Sequence, residues 1–140
     1  MKSMTERSFI DTNLLVYAQD RSAGAKQRSA ADLLDRGVLS GRAVFSTQVF
    51  QEYFVTAVRK LGIDPTAARR TIELYSTVQV VLIEVQDILA AVDLHRLHGF
   101  SFWDCLIVRA AQVSKCKVLF TEDLQHGQVI DGLRVVNPFL

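Results

Sequence analysis

Short apolar runs alternate along the chain with longer stretches in which apolar residues recur at helical spacing. The runs of strand length lie at residues 7–10, 43–46, 78–83, 117–120 and 133–136. The stretches with helical spacing lie at residues 12–19, 24–37, 47–61, 65–76, 85–98 and 102–114. Strands that alternate with helices are typical of an α/β fold built on a mostly parallel sheet. The pattern therefore predicts one such sheet of about five strands.

Two of the predicted helices carry residues that matter below. In the helix at 47–61 the core face is predicted from apolar residues at helical spacing, namely Phe50, Phe54, Ala57, Val58 and Leu61. Glu52 lies about 200° around the helix from Phe50 and is predicted to point away from that face. The helix at 102–114 is apolar on nearly every side, so Asp104 is predicted to be largely buried. Its neighbour Trp103 is expected to pack in the core rather than to stack on a nucleobase.

Composition narrows the class of protein. The 140 residues are 49% hydrophobic and 22% charged, which predicts a single globular domain over 1–140. A net charge of +1 excludes a global basic field. The N-terminus MKSMTERSFI lacks the apolar core of a signal peptide, and no apolar run approaches the roughly 18 residues of a membrane span. A cytoplasmic protein without membrane association is expected. Cys105 and Cys116 lack metal-binding spacing and are predicted to be reduced core thiols.

Four acidic residues stand apart from those on polar helix faces. Asp11 ends the first strand and Asp123 follows the fourth, Glu52 lies in the helix after the second strand, and Asp104 begins an apolar helix. Each acid has a local alternative. Asp11 could cap a helix that begins at the next residue, Ser101 and Asp104 have capping-box spacing, Asp123 could cap a turn, and Glu52 could simply be exposed.

The joint placement of the four acids indicates a shared site. Ligands of open parallel sheets bind at the carboxyl ends of the strands, where three of these acids are expected. Four converging carboxylates repel one another unless a cation lies between them. Oxygen ligands without His or Cys select Mg²⁺ or Mn²⁺, ions that serve hydrolytic phosphoryl chemistry. Thr12, Asn13 and Thr121 would supply neutral hydrogen-bonding groups beside the acids.

Four blocks of the sequence also resemble the signature blocks of PIN domains, particularly the VapC-type toxins of bacterial toxin-antitoxin pairs. The blocks are FIDTN at 9–13, QEY at 51–53, SFWDCLIVRAA at 101–111 and LFTEDLQHGQVIDGLRVVNPF at 119–139. Their order and spacing match the family from Phe9 to Phe139. The resemblance implies a three-layer α/β/α PIN fold that cleaves single-stranded or looped RNA with Mg²⁺ or Mn²⁺, leaving a 5′-phosphate and a 3′-hydroxyl.

The resemblance also implies roles and partners. The catalytic and metal-binding acids of the family fall on Asp11, Glu52, Asp104 and Asp123, and the supporting positions fall on Thr12, Asn13 and Thr121. A homodimer and a small antitoxin, whose tail occupies the groove, are further implied.

Two residues depart from the family pattern. Glu122 precedes Asp123, and the metal-binding role is assigned to Asp123. His126 stands where a second acid is common in the family, and a solvated side chain is the expected state for it. A catalytically inactive PIN-like module that only binds a protein or RNA is the alternative hypothesis. A receiver domain would need a second acid beside Asp11, and a haloacid-dehalogenase-type phosphatase would need Asp-x-Asp. The sequence Asp-Thr-Asn at 11–13 disfavours both.

Overall fold

Six strands form one sheet in the computed structural model, which describes residues 4–140. They are β1 (Ser8–Ile10), β2 (Ala43–Ser46), β3 (Gln79–Val81), β4 (Val118–Phe120), β5 (Val129–Ile130) and β6 (Leu133–Val136). Across the sheet their order is β3-β2-β1-β4-β6-β5, and every neighbouring pair is parallel except β5 with β6. Residues 1–3 lie outside the described part of the chain. They belong to the N-terminal segment and to the single domain that were predicted above.

Helices connect the strands. They are α1 (Thr12–Gln19), α2 (Ala25–Ser40), α3 (Thr47–Arg59), α4 (Pro65–Tyr75), α5 (Val85–His98) and α6 (Phe102–Val113). All the predicted helices are confirmed, with ends that differ by a few residues. None of the helices in residues 4–140 combines the length and the apolar character needed to cross a bilayer.

The strand order explains the predicted three layers. The chain steps from β1 to β2 to β3 in one direction, and then passes back to place β4 on the other side of β1. Because such crossovers are right-handed, a reversal of direction moves the connecting helices to the opposite face of the sheet. α2 and α3 pack on β2, whereas α6 packs on β1, β2 and β4. The α/β/α architecture is confirmed, and the reversal occurs between β1 and β4.

The expected count of about five strands is corrected to six in the described chain. The additional strand, β5, has only two residues and pairs antiparallel with β6. Asp131 and Gly132 join the two strands with positive φ angles of 49° and 84°. An Asp-Gly pair is a favoured two-residue hairpin turn because both positions need φ above zero. This turn was the available signal for β5, which is too short to show an alternating pattern.

Helix α2 also corrects a predicted boundary. It continues through Gly37 and ends at Ser40, where Gly41 adopts the left-handed conformation that terminates many helices. A Cβ on Gly37 would lie 2.8 Å from the Cβ of Ala43 on β2. Gly37 therefore permits close packing of α2 against the sheet and does not mark the helix end.

Three predictions about the core have mixed outcomes. On α3, Phe50 and Ala57 are buried as predicted, but Phe54 is 37% exposed and Tyr53 is buried in its place. On α6, Trp103 is 60% exposed, so the predicted core packing of this residue is wrong. Both cysteines are buried and free, as predicted.

Candidate active site

A cavity of about 150 Å³ opens where β1 and β4 end, at the reversal in strand order. All four predicted acids line it, together with two of the three supporting residues. The full lining is Asp11, Thr12, Asn13, Gln48, Glu52, Thr56, Trp103, Asp104, Ile107 and Asp123. The structure thus brings together acids that are up to 112 positions apart in the sequence, from Asp11 to Asp123 (123 − 11). We call this space the acid cavity.

Asp11 stands at the junction of β1 and α1. Its backbone N–H donates to the carbonyl of Phe120 on β4 over 3.1 Å, so it extends the pairing of the two central strands. Its Oδ1 accepts a hydrogen bond from the Thr12 amide over 2.7 Å, and its Oδ2 accepts one from the Thr121 hydroxyl over 2.7 Å. The side chain caps α1, which was the alternative role considered for it, and it also lines the acid cavity.

Negative charge in the acid cavity is poorly compensated. Burial raises the pKa of Asp11 to about 7, since the hydrogen bonds from Thr121 and Thr12 offset only part of the desolvation and the charges of Asp123 and Asp104 add to it. Burial also raises the pKa of Asp123, with a further contribution from the charge of Asp104. Burial is also the main cause that raises the pKa of Glu52.

Glu52 reaches the cavity from the second turn of α3. This helix begins where the Ser46 hydroxyl accepts a hydrogen bond from the Val49 amide, directly after β2. Glu52 points away from the core face, as predicted, and its Oε1 accepts a hydrogen bond from the Thr12 hydroxyl over 2.9 Å. Thr12 therefore links the Asp11 and Glu52 sides of the cavity.

Asp123 is held by the other two supporting residues. The Asn13 amide nitrogen lies 3.3 and 3.2 Å from its two carboxylate oxygens and donates to them. The backbone N–H of Asp123 donates to the Thr121 hydroxyl over 3.1 Å, and that hydroxyl donates in turn to Asp11. Thr121 is buried beneath the cavity and joins two of its acids.

Asp104 is half-buried in the first turn of α6 rather than largely buried. Its backbone N–H donates to the Ser101 hydroxyl over 3.1 Å, so Ser101 caps the helix. Within the described chain no group donates a hydrogen bond to the Asp104 carboxylate. A carboxylate at the edge of a cavity with other acids, and without a donor, is available to a ligand.

Glu122 belongs to a different cluster, although it is adjacent to Asp123. The Tyr17 hydroxyl donates to its Oε1, and Lys26 Nζ lies 2.9 Å from its Oε2. The Lys26 ammonium also lies 4.9 Å from the Tyr17 ring centre and 5.3 Å from that of Phe139. Burial works to raise the pKa of Glu122, but the bonds from Tyr17 and Lys26 outweigh it and leave the pKa below its usual value. We call these residues the Glu122 cluster.

His126 is exposed and lies outside the acid cavity. Its Nδ1 accepts a hydrogen bond from the backbone N–H of Asn137 over 3.0 Å. The side chain is solvated, as expected. It also restrains the segment after β6 through this hydrogen bond.

The donor set of the acid cavity fits a hard divalent cation. Among residues 4–140, no Lys or Arg forms an ion pair with any of the four acids. Asp87 shows the contrast, because it is as buried as Asp11 but is paired with Arg109 over 3.0 Å. No three Asp, Glu, His or Cys side chains of the described residues form a ready-made ligand cage. Mg²⁺ does not require one, since it commonly binds one or two carboxylates and keeps several waters.

Four residues of the cavity were not predicted from the sequence. Gln48, Thr56, Trp103 and Ile107 line it beside the acids. Gln48 is 4% exposed and donates to the carbonyl oxygen of Trp103 over 3.2 Å. Its position one turn before Glu52 on α3 was the available signal, because residues four apart share a helix face.

Comparison with known proteins agrees with this geometry. The profile of the PIN domain matches residues 8–130. A toxin-antitoxin complex from Klebsiella pneumoniae has 26% identity and a TM-score of 0.67, over 94% of this chain and 97% of that chain. A comparison with curated proteins gave no match.

Two further solved structures share the fold at lower identity. VapC20 of Mycobacterium tuberculosis, described as a sarcin-ricin loop cleaving toxin, has 18% identity and a TM-score of 0.66, over 83% of this chain and 89% of that chain. VapBC2 of Rickettsia felis, bound to a fragment of promoter DNA, has 16% identity and a TM-score of 0.64, over 91% and 96% of the respective chains. The profile match spans most of the sequence and the acids meet at the reversal of the sheet; the chain belongs to the PIN domain family.

Proposed function

We propose that the protein is a Mg²⁺- or Mn²⁺-dependent endoribonuclease and the toxin of a type II toxin-antitoxin pair. One observation carries this proposal. Asp11, Glu52, Asp104 and Asp123 line a single cavity without a pairing cation, and the Asp104 carboxylate has no donor in residues 4–140. A protein keeps such an arrangement at a cost in stability, because each carboxylate raises the energy of the others.

The reaction is hydrolysis of an RNA phosphodiester. Water attacks phosphorus, the bond to the 3′-oxygen is cleaved, and the products are a 5′-phosphate and a 3′-hydroxyl that takes up a proton. A divalent ion, when bound, supplies charge neutralisation at the phosphate and a lower pKa for the attacking water. Asp11, Glu52, Asp104 and Asp123 are the residues that would hold it.

The supporting residues fix the acids in place. Thr121 and the Thr12 amide hold the two oxygens of Asp11, and Asn13 holds the carboxylate of Asp123. Each of these donors leaves the acid further acceptor capacity, since an ionised carboxylate has about four lone-pair sites. The acids are thus oriented before an ion or substrate arrives.

The structural neighbours support the choice of partner. Two of them are complexes of a toxin with its antitoxin, and one of these, from Klebsiella pneumoniae, shares 26% identity with this chain. We extend this to a small cognate antitoxin, a homodimer and a cytoplasmic location for this protein. The antitoxin would neutralise the nuclease by covering the acid cavity.

Incubation of the purified protein with total RNA tests the nuclease proposal. Cleavage with Mg²⁺ or Mn²⁺, its loss on addition of EDTA and new ends that carry a 5′-phosphate are the expected results. Asp11→Asn is the matched control, because Asn caps a helix as well as Asp and preserves the fold. Absence of EDTA-sensitive cleavage by the wild-type protein, together with RNA or protein binding, would favour the inactive binding module instead.

A further inference from the structure

Trp103 lies between the acid cavity and a second, adjoining cavity. The second cavity has a volume of about 400 Å³ and is lined by Gln48, Gln51, Glu52, Val55, Thr56 and Trp103. Four of these residues line the acid cavity as well, so the two spaces adjoin. Because Trp103 is 60% exposed and immediately precedes Asp104, its indole is available to a ligand that also enters the acid cavity.

The lining of the second cavity indicates which part of a nucleotide it suits. None of its lining residues is Lys or Arg, and Glu52 contributes negative charge, so a phosphate group is disfavoured there. The rest of the lining consists of the Trp103 indole, Val55, the Thr56 hydroxyl and two carboxamides. This combination matches a nucleobase, which is uncharged, has a flat π-face for stacking and carries polar groups on its edge.

Gln48 supplies an independent indication of a polar ligand. Its Nε2 donates to the Trp103 carbonyl, which ties the start of α6 to α3. Its Oε1 is the one buried side-chain oxygen of residues 4–140 that lacks a hydrogen-bond donor. Buried acceptors in native proteins nearly always have a donor, and the side chain that carries this oxygen lines both cavities. A ligand with an N–H or O–H group would satisfy it.

We infer that the second cavity is a subsite for one unpaired nucleoside of the RNA, adjacent to the scissile phosphate. The base stacks on Trp103, and an N–H of the base or the 2′-hydroxyl of the ribose donates to Gln48 Oε1. This inference rests on the proposed nuclease function and adds a requirement to it. The nucleotide next to the cleaved bond must be unpaired, because a base within a duplex has no free face to offer Trp103.

A protein segment is the other class of occupant, and the observations favour RNA. A peptide segment offers an apolar side chain to Trp103 and Val55 and a backbone N–H to Gln48 Oε1, but it brings no phosphodiester to the adjoining acid cavity. The four lining residues that the two cavities share place the subsite beside the position where a phosphodiester has to bind for cleavage. A nucleoside satisfies both conditions with a single ligand.

The fluorescence of Trp103 provides a direct assay, because it is the only tryptophan in the chain. The probe is a random-sequence single-stranded RNA decamer, titrated in Ca²⁺, which shares the oxygen-ligand preference of Mg²⁺ but has a more flexible geometry. RNA integrity is checked on a gel afterwards. We expect saturable quenching by the decamer, and little quenching by a blunt RNA duplex or by a decamer with abasic sites.

Variants test the two contacts separately. Loss of one stacked base typically weakens binding by roughly five- to a hundredfold, so Trp103→Ala should lie in that range by anisotropy of labelled RNA, and Trp103→Phe should recover most of the affinity. Phe54→Ala is the matched control, since Phe54 is also an exposed aromatic residue but lines a separate cavity. If the ribose is the donor to Gln48, a 2′-deoxy decamer binds more weakly to wild type and equally to Gln48→Met; if the base is the donor, deoxy substitution has no effect.

The possible outcomes separate this inference from the proposed function. Wild-type cleavage with no Trp103 response to RNA, and with Trp103→Ala as active as wild type, would overturn the nucleoside subsite and leave a protein partner as the occupant. Absence of cleavage by the wild-type protein would defeat the nuclease proposal. In that case the quenching titration still decides whether a base stacks on Trp103.

Discussion

Glu122 and Asp123 are consecutive acidic residues that end in opposite environments. Glu122 accepts hydrogen bonds from Tyr17 and Lys26, and its pKa lies below the usual value. Asp123 lines the acid cavity, where burial and the charge of Asp104 raise its pKa. Both residues follow Thr121 in the sequence. The Thr121 hydroxyl holds this loop, because it donates to Asp11 and accepts a hydrogen bond from the backbone N–H of Asp123.

The difference between the acid cavity and the Glu122 cluster distinguishes a functional arrangement from a structural one. In the Glu122 cluster the charge is paired, hydrogen-bonded and covered by two aromatic rings, so it stabilises the folded chain by itself. In the acid cavity four carboxylates share one space without a cation among the described residues. Repulsion in that arrangement is relieved when a cation binds or a carboxylate takes up a proton, so we expect the two regions to respond in opposite ways to substitution, pH and metal.

The largest expected difference concerns catalysis. Asp123→Asn should lower RNA cleavage in Mn²⁺ by about a hundredfold or more, because loss of even an outer partner of a metal site typically costs 10–100-fold. Glu122→Gln should stay within about threefold of wild type, since Glu122 contacts Tyr17 and Lys26 rather than the cavity. Initial rates on one labelled RNA compare the two variants. Equal losses in both would place Glu122 in the catalytic machinery and contradict the distinction.

A second prediction concerns the stability of the metal-free protein. The pKa of Asp11 is about 7 in the folded state and 3.8 in an unfolded chain, so the native state holds a proton that the unfolded state releases. Stability from this group is complete below pH 3.8 and is lost as pH rises to about 7. In EDTA, wild type should therefore melt roughly 5 °C or more lower at pH 8 than at pH 5, relative to Asp11→Asn measured in parallel. A difference between the two proteins that does not change with pH would contradict this.

The Glu122 cluster should show a smaller pH effect of opposite sign, because the stability that it contributes is lost as pH falls rather than as pH rises. Tyr17→Phe removes the hydroxyl that donates to Glu122 and should lower the free energy of unfolding by about 1 kcal/mol at pH 7. The loss should shrink on acidification, because stability from the lowered pKa of Glu122 is complete above the unfolded value of 4.5 and is lost as pH falls through the lower folded value. Urea denaturation at pH 7 and pH 4 measures it. Tyr75→Phe is the control, since no hydrogen bond involves the Tyr75 hydroxyl in residues 4–140, and an equal loss there would assign the effect to general packing.

Much of the fold could be predicted from local patterns. Helix and strand periodicity located every helix and the five longer strands, because those elements bury an apolar face against the sheet. The exceptions have specific causes. β5 depends on a hairpin turn at Asp131 and Gly132 rather than on its own pattern, and Gly37 serves close packing against Ala43 rather than ending α2.

The four acids of the acid cavity could be predicted from the sequence, but most of the other side chains around them could not. Asp11 and Asp123 were recognised because they follow strands, and the ends of parallel strands meet at one edge of the sheet. Trp103 was assigned to the core because its helix is apolar, yet only tertiary packing decides which side of an apolar helix is left exposed. For Gln48 the sequence offered only its position one turn before Glu52 on α3. Its importance comes from contacts with Trp103 and Glu52 that arise only in the folded chain.

Thermal denaturation with and without Mn²⁺ tests most directly whether the acid cavity binds a divalent cation. An ion that binds only the folded state adds stability by mass action, about 2.7 kcal/mol at a hundred times its Kd. We predict that Mn²⁺ raises the Tm of wild type and of Glu122→Gln to a similar extent, and that Asp11→Asn, although folded, shows little or no increase. No increase in the wild-type protein, or an equal increase in Asp11→Asn, would contradict the assignment of these acids to a metal site.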